Sequence, residues 1–275
     1  MTHLQLLLNI HGEQMQFLLF LTLFVLGWNI ENIAGVFSNQ KKWLHSFINA
    51  PFMFTNMPGQ ILLGFAFVKT IQWDNLNSFG FLYHLPGQKN TFLYFLLAFT
   101  FLDLGEYVYH VIMHRFKNLW KFHMIHHSDT ILDVSTTLRE HPAESFIRLI
   151  FTLFWVLLSG TAFWALMLRQ IIQVVTTLFA HINYRLPDKI DKFVGIIFIT
   201  PNLHQVHHHY KRPYTDCNYG DVLSIWDRLF GTFKRLDAKE LVFGVDTYLP
   251  SESKGKFISL LLEPFRRNNK IPWKA

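Results

Sequence analysis

Leu149 to Leu168 runs for twenty residues without a charged side chain. As a helix at about 1.5 Å per residue, that stretch covers the roughly 30 Å of hydrocarbon in a bilayer. It has companions. Phe17–Ile30 is charge-free and its apolar character resumes after Glu31-Asn32 as far as Phe37. Because Met1–Gln16 holds no Lys or Arg and no small-residue cleavage site follows, this segment reads as a first membrane helix rather than a signal peptide. Phe47–Val68 is apolar but punctuated by Pro51 and Pro58-Gly59, which predicts a kinked span or a helix pair. Thr91–Leu102 leads straight into Asp103, and Ile171–Ala180 extends the long run beyond Arg169. Only 16% of residues are charged, against about 25% in an ordinary soluble domain. The expected fold is all-α, an integral membrane bundle of about four spans with a cytosolic helical cap.

Charge is distributed unevenly along the chain. Lys and Arg number none in residues 1–40, ten in 41–184 and fifteen in 185–275. These positive residues flank apolar runs, so the asymmetry follows the positive-inside pattern and places the C-terminal part on the cytoplasmic face. Nucleic acid is not an expected partner. The organisation predicted is membrane helices over 1–90, a chemistry-bearing region over 91–235 and a cytosolic tail over 236–275. The single cysteine, Cys217, excludes an intrachain disulfide and any thiolate-built zinc or iron–sulfur site.

Eleven of the fifteen histidines fall between His110 and His209. They cluster as His110 and His114, as His123, His126 and His127, and as His204, His207 and His208. Spacings of three and four place side chains on one helical face, so each cluster is expected to aim at one point. Asp103 and Tyr107 share the stripe of His110 and His114, and Glu106 lies one turn before His110. A single straight helix through residue 127 would turn the second cluster away from the first. A shared site therefore requires a break near Lys117-Asn118-Leu119. Eight imidazoles exceed the needs of one zinc and suit two metals with open positions, although ligand type alone chooses no metal. His3, His11, His45 and His84 read as ordinary interfacial residues.

These motifs resemble the fatty acid hydroxylase superfamily, which includes the sterol desaturases and other membrane di-iron oxygenases. The resemblance covers roughly Asp103 to Arg235. It rests on the HxxxH, HxxHH and HxxHH boxes, on Leu119-Trp120, on Arg139-Glu140-His141-Pro142 and on His181-Ile182-Asn183. Asn218-Tyr219-Gly220-Asp221 and the segment Trp226 to Thr232 add to it. It implies metal ligands at His110, His114, His123, His126, His127, His204, His207 and His208, with His181 as a ninth. Thr177 stands where some members carry a further histidine. His141 either contributes to the site or orients the turn at Pro142, and His209 is expected to be exposed. Asp103, Asn183, Asp221 and Asp227 are candidates for holding imidazole N–H groups.

The resemblance further implies two iron ions, with zinc possible as purified. It implies O2 and two electrons used to hydroxylate or desaturate a lipid such as a sterol, fatty acyl chain, carotenoid or ether lipid in an apolar helix-lined tunnel. No haem domain or flavin fingerprint is visible, so a separate donor, cytochrome b5-like or a ferredoxin, is expected to dock on basic loops in a bacterial inner membrane or endoplasmic reticulum. Two alternatives compete with this reading. A membrane zinc-dependent lipid hydrolase would want an HExxH-like base, which does not occur. A non-catalytic metal-binding membrane protein would distribute histidines along several spans, whereas here they sit at segment ends. Finally, His123–His127 and His181 must share a side, so the chain between them crosses an even number of times. Ser159-Gly160-Thr161 is the predicted reversal, making Leu149–Leu168 parts of two hairpin arms.

Overall fold

The structure, a computed structural model, describes residues 2–33, 39–85, 91–246 and 256–266; the segment 236–275 thus lies partly outside the described residues. Five long helices make the body: α1 His3–Ile33, α2 Asn39–Asn77, α3 Thr91–Arg115, α5 Pro142–Ser159 and α6 Phe163–His181. Short helices α4 Lys117–His127, α7 Asp188–Val194, α8 Pro201–His207 and α9 Ile225–Leu229 build a cap, and α10 Phe257–Leu262 packs its Phe257 ring against Phe52 of α2. No strand forms among the described residues. Helices α1, α3, α5 and α6 are long and apolar enough to cross a membrane. Large apolar side chains on the outer faces, among them Leu18, Val25, Phe154 and Val175, are exposed. Such a surface suits lipid and would be a liability in water.

The expected kink or helix pair at Pro51 and Pro58 is instead one helix, α2, which continues through both prolines. It begins at the cap, where His45 meets Asp129, and ends near the α5–α6 turn, so it runs the same course as the four apolar helices. The reversal falls where the parity argument puts it. Helix α5 ends at Ser159, and Gly160 adopts φ 67°, its N–H returning to the Val156 carbonyl at 3.0 Å. Glycine is required there twice over, since a Cβ at Gly160 would sit 2.4 Å from the Phe79 carbonyl oxygen and one at Gly80 2.3 Å from the Gly160 nitrogen.

Buried polar clamps fasten the cap to the bundle. Glu31 at the end of α1 accepts from Lys42 Nζ at 2.9 Å and, through its other oxygen, from the backbone N–H groups of Val134 (3.0 Å) and Asn183 (2.8 Å). His45, expected to be an ordinary interfacial residue, is the exception among the four so read. It is buried between Asp129 (2.7 Å) and Asp133 (3.0 Å), while Asn49 donates to Asp129 and Ser135. Arg139 spans from the Ile125 carbonyl (2.8 Å) to Ser128 Oγ (2.7 Å). Together they pin the segment that follows the second histidine cluster.

Burial disfavours a charged imidazole, but the two carboxylates overcome it and raise the His45 pKa to about 10. A group raised in the folded state stabilises fully below its ordinary value and loses that contribution as pH climbs through the raised one. Thermal stability is therefore expected to decline from about pH 6.5 toward pH 10, and His45→Gln should flatten the decline. An unchanged pH slope in His45→Gln would remove the ion-pair assignment.

Candidate metal centre

Helix α3 ends at Arg115, and Phe116 is extended (φ −102°, ψ 116°) before α4 begins at Lys117, so the break comes just ahead of the predicted stretch. The turn brings α4 back over the end of α3. Helix α8 opens on Pro201, with Thr200 Oγ1 accepting from the Leu203 N–H at 3.2 Å, and lays its histidines against both. Helix α6 delivers His181 in its last turn.

All nine histidines singled out converge, as two sets rather than as separate boxes. His110, His114, His123, His127 and His207 form one set; His126, His181, His204 and His208 form the other, each with ligand atoms within 4.8 Å of one another. Each HxxHH box is divided. On α4 the i and i+4 residues join the first set and i+3 the second; on α8 the division is reversed. Helical geometry explains this, because i and i+4 lie about 40° apart in azimuth while i+3 and i+4 differ by about 100°. A box with adjacent histidines therefore fans to two points instead of aiming at one. The sets share a boundary, with the His127 and His208 rings stacked at 4.5 Å.

The donor chemistry fits a cation in each set. His110 Nδ1 donates to the Tyr219 carbonyl (2.9 Å), His123 Nδ1 to Glu144 Oε1 (2.6 Å), His181 Nδ1 to the Thr177 carbonyl (2.8 Å) and His207 Nδ1 to the Cys217 carbonyl (2.7 Å). His114 Nδ1 faces Asp216 at 3.3 Å. With the proton held at Nδ1, a neutral ring presents a bare lone pair at Nε2. Yet Nε2 of His110 lies 3.1 Å from Nε2 of His123, and Nε2 of His181 lies 3.1 Å from that of His126 and 3.0 Å from that of His204. Lone pairs facing at that distance repel unless a cation lies between them. Two nitrogens each about 2.1 Å from one metal at a right angle would stand about 3.0 Å apart. His114 Nε2 and His207 Nε2 are buried with no hydrogen-bond partner. Burial pushes the His126, His127, His204, His207 and His208 pKa values far below the ordinary imidazole value, with neighbouring imidazoles adding to the effect. Burial, with Arg148 assisting, takes His123 to about 3. These rings are neutral and ready to bind metal at physiological pH.

The residues expected to hold imidazoles do other work. Asp103 accepts from the backbone N–H groups of Val222 and Leu223 and from Trp226 Nε1. Asp227 accepts from the N–H groups of Tyr219 and Gly220 and from Thr232, Asn183 donates to the Leu132 carbonyl, and Asp221 pairs with Arg169 at 3.0 Å. Asp227 still serves the site indirectly, since it fixes the loop whose Tyr219 carbonyl holds His110. His141 caps α5, its Nδ1 accepting from the Ala143 N–H, and its Nε2 meets the Leu261 carbonyl; it orients the turn. His209 is buried rather than exposed, because its Nδ1 accepts from the Val242 N–H.

Sequence reasoning missed Glu144 and Asp216. Glu140, Glu144 and Arg148 recur at intervals of four at the head of an apolar helix, and that misplaced charge was the available signal. Replacing Glu144 with Ala is expected to weaken metal retention by about 10–100-fold, the usual cost of losing an outer hydrogen-bond partner. Dialysis against a graded chelator series measures it, and Glu144→Gln, which keeps an acceptor, should fall between.

A cavity of about 290 Å³ opens beside both sets, reaching His110 and His123 of the first and His126, His181 and His204 of the second. Its walls mix polar and apolar surface instead of forming the wholly apolar tunnel expected: Glu106, Glu140, Arg148, Arg169 and Asp221 line it together with Leu63, Phe67 and several glutamines. Arg148 binds Glu106 (3.0 Å) and Glu140 (3.2 Å).

A bundle with four helices of membrane-crossing length, capped by two adjoining histidine sets, defines a membrane protein of the histidine-box type. The model of the fatty acid hydroxylase family matches residues 95–232, and the chain belongs to that family. An alkylglycerol monooxygenase of Danio rerio is 32% identical over 160 residues, covering 54% of this chain and 32% of that protein. An ornithine lipid hydroxylase of Rhizobium tropici is 28% identical over 177 residues (63% and 51%), and a methylsterol monooxygenase of Arabidopsis thaliana 30% identical over 152 (54% and 56%). The matched region thus spans about a third of the first relative and about half of the others. No solved structure matches.

Proposed function

We propose that this chain is a membrane-bound non-haem di-iron oxygenase that hydroxylates or desaturates a C–H bond of a lipid, using O2 and two electrons. The observation that carries the reading is the pair of all-histidine sets sharing one boundary and one cavity. His110, His114, His123, His127 and His207 would hold one ion, and His126, His181, His204 and His208 the other. Iron bound there would supply reductive activation of O2 and cleavage of the C–H bond. The protein's own contribution is positional: Tyr219, Glu144, Thr177 and Cys217 lock the tautomers of four rings, and the bundle shields the site from bulk water. The relatives' printed names, monooxygenases and hydroxylases of lipids, support the reaction class.

The cap is assigned to the cytoplasmic face, where the exposed Lys189 and Lys192 of α7 offer a docking surface for an acidic electron carrier of the cytochrome b5 or ferredoxin type. A zinc hydrolase reading has less support, because Glu144, the carboxylate against the first set, is engaged by His123 and by Arg148 at 3.7 Å. The test is incubation of membranes with reductant and ¹⁸O2. One labelled oxygen in the product lipid, or dehydrogenation coupled to O2 uptake, is expected. Product formed anaerobically with oxygen from water would assign hydrolysis instead.

A further inference from the structure

Helices α5 and α6 set the depth scale of the bundle. Joined by the turn at Gly160, they number 18 and 19 residues, so at about 1.5 Å per residue each just reaches across roughly 30 Å of hydrocarbon. To cross, they must hold the turn at one border and His181, with the metal centre, at the other. The segments 193–198 and 222–230, on either side of α8, do not stay beyond that border. Val222 and Leu223 pack with Phe99 of α3 and against Phe95 and Ile172. Phe99 lies eleven residues before His110 and Ile172 nine before His181, about 17 and 14 Å along their helices. Non-helical backbone survives at such depth only where its polar groups are satisfied inside the protein. Here they are. Asp103 accepts from the Val222 and Leu223 N–H groups at 3.2 Å each. Ile199 donates to the Val222 carbonyl (2.9 Å), Ser224 to the Ile197 carbonyl (2.8 Å) and Phe198 to the Val194 carbonyl (3.0 Å). A carboxylate inside an apolar span thus answers backbone that has descended beside it.

The outer side of the same segments is apolar. Phe193, Ile196, Ile197, Phe198, Ile225 and Leu229 are exposed, Phe193 by 77% and Leu229 by 67%. The bond from Ser224 to Ile197 and the one from Arg228 to the Gly195 carbonyl (2.8 Å) bring the two segments side by side, so these side chains adjoin. We propose that segments 193–198 and 222–230 form a re-entrant wedge seated among the acyl chains of the leaflet on the metal-centre side. Depth and continuity select lipid as the occupant. Val175, one turn from Ile172, is part of the exposed apolar face of α6, so the wedge extends a surface that already faces lipid. Charge agrees as well. Lys189 and Lys192 of α7 are exposed at the border of the patch, where long basic side chains reach headgroup phosphates. An acidic carrier would meet these lysines along the membrane surface. The wedge fixes the height of the metal centre relative to the bilayer, and it is independent of the reaction catalysed there.

The test places a bimane fluorophore on Ile197→Cys and on Leu229→Cys in the full-length protein, reconstituted in vesicles of phosphatidylcholine and phosphatidylglycerol. Phe154→Cys on α5 is the lipid-facing reference and Lys239→Cys the water-facing one. All four positions are exposed, so the label displaces no core packing, and buried Cys217 lets the native chain serve as the unlabelled blank. Both wedge positions should lose fluorescence to a phospholipid carrying a nitroxide on its acyl chain, as Phe154 does, and should be untouched by iodide in the water. Lys239 should show the reverse. Quenching by iodide at Ile197 and Leu229 would return the segments to an aqueous cap and overturn the wedge. Protection from both quenchers would overturn it too, since a protein, either a second copy or another chain, would then cover the patch.

Discussion

Alanine at His204 or at His207 is expected to reduce lipid oxidation by more than about a hundredfold, beyond the 10–100-fold usual for losing an outer partner of a metal ligand. The two residues belong to different sets, so either substitution disables one half of the centre. His207 Nε2 is buried with no hydrogen-bond partner, and His204 Nε2 lies 3.0 Å from that of His181, so each points its nitrogen at its own set. Removing His204 leaves three imidazoles in its set and should also release metal; removing His207 leaves four. The informative control is His209, the adjacent histidine, whose ring serves the Val242 N–H instead. Product analysis with all three variants at matched membrane abundance checks this. Equal losses in His209→Ala and His207→Ala would mean that the region tolerates no histidine change, and the set assignment would have no support.

The largest effect on stability is expected at Glu31. Its two oxygens serve Lys42 and the backbone N–H groups of Val134 and Asn183, and both Glu31 and Lys42 are buried. Glu31→Ala leaves an ammonium and two amides without their partner. Breaking one side of a buried pair typically costs about 3–5 kcal/mol. Glu31→Gln keeps an acceptor for the amides but loses the charge, so it should fall between. Thermal unfolding in detergent, followed through metal release, measures both. A melting temperature unchanged in Glu31→Ala would show that the α1–cap clamp contributes little.

What the sequence made legible follows from periodicity. Apolar length located α1, α3, α5 and α6, and the parity of crossings located the turn at Gly160. Histidine spacing named eight of the nine residues that converge, and the family resemblance added His181. Division of each box between two sets was implicit in the azimuths of adjacent histidines but needed the relative placement of α4 and α8. The groups orienting the rings were mostly hidden, since three are main-chain carbonyls, of Tyr219, Thr177 and Cys217, which no side-chain motif reports. Asp103 and Asp227 look like imidazole partners by position, yet they are consumed by loop N–H groups that only the tertiary fold presents. The ion pairs that line the cavity, Arg148 with Glu106 and Arg169 with Asp221, were unreadable for a similar reason, since their partners lie far apart in the chain.

With one metal ion in each set, the nine histidines hold two ions per chain. The most direct measurement is iron content after anaerobic loading, for the native chain and for two paired variants. Two ions per chain are expected for the native protein. One should remain in His110→Ala/His114→Ala, which depletes the first set, and one in His181→Ala/His204→Ala, which depletes the second. A native content of one ion, unchanged by either pair, would contradict the two-site account.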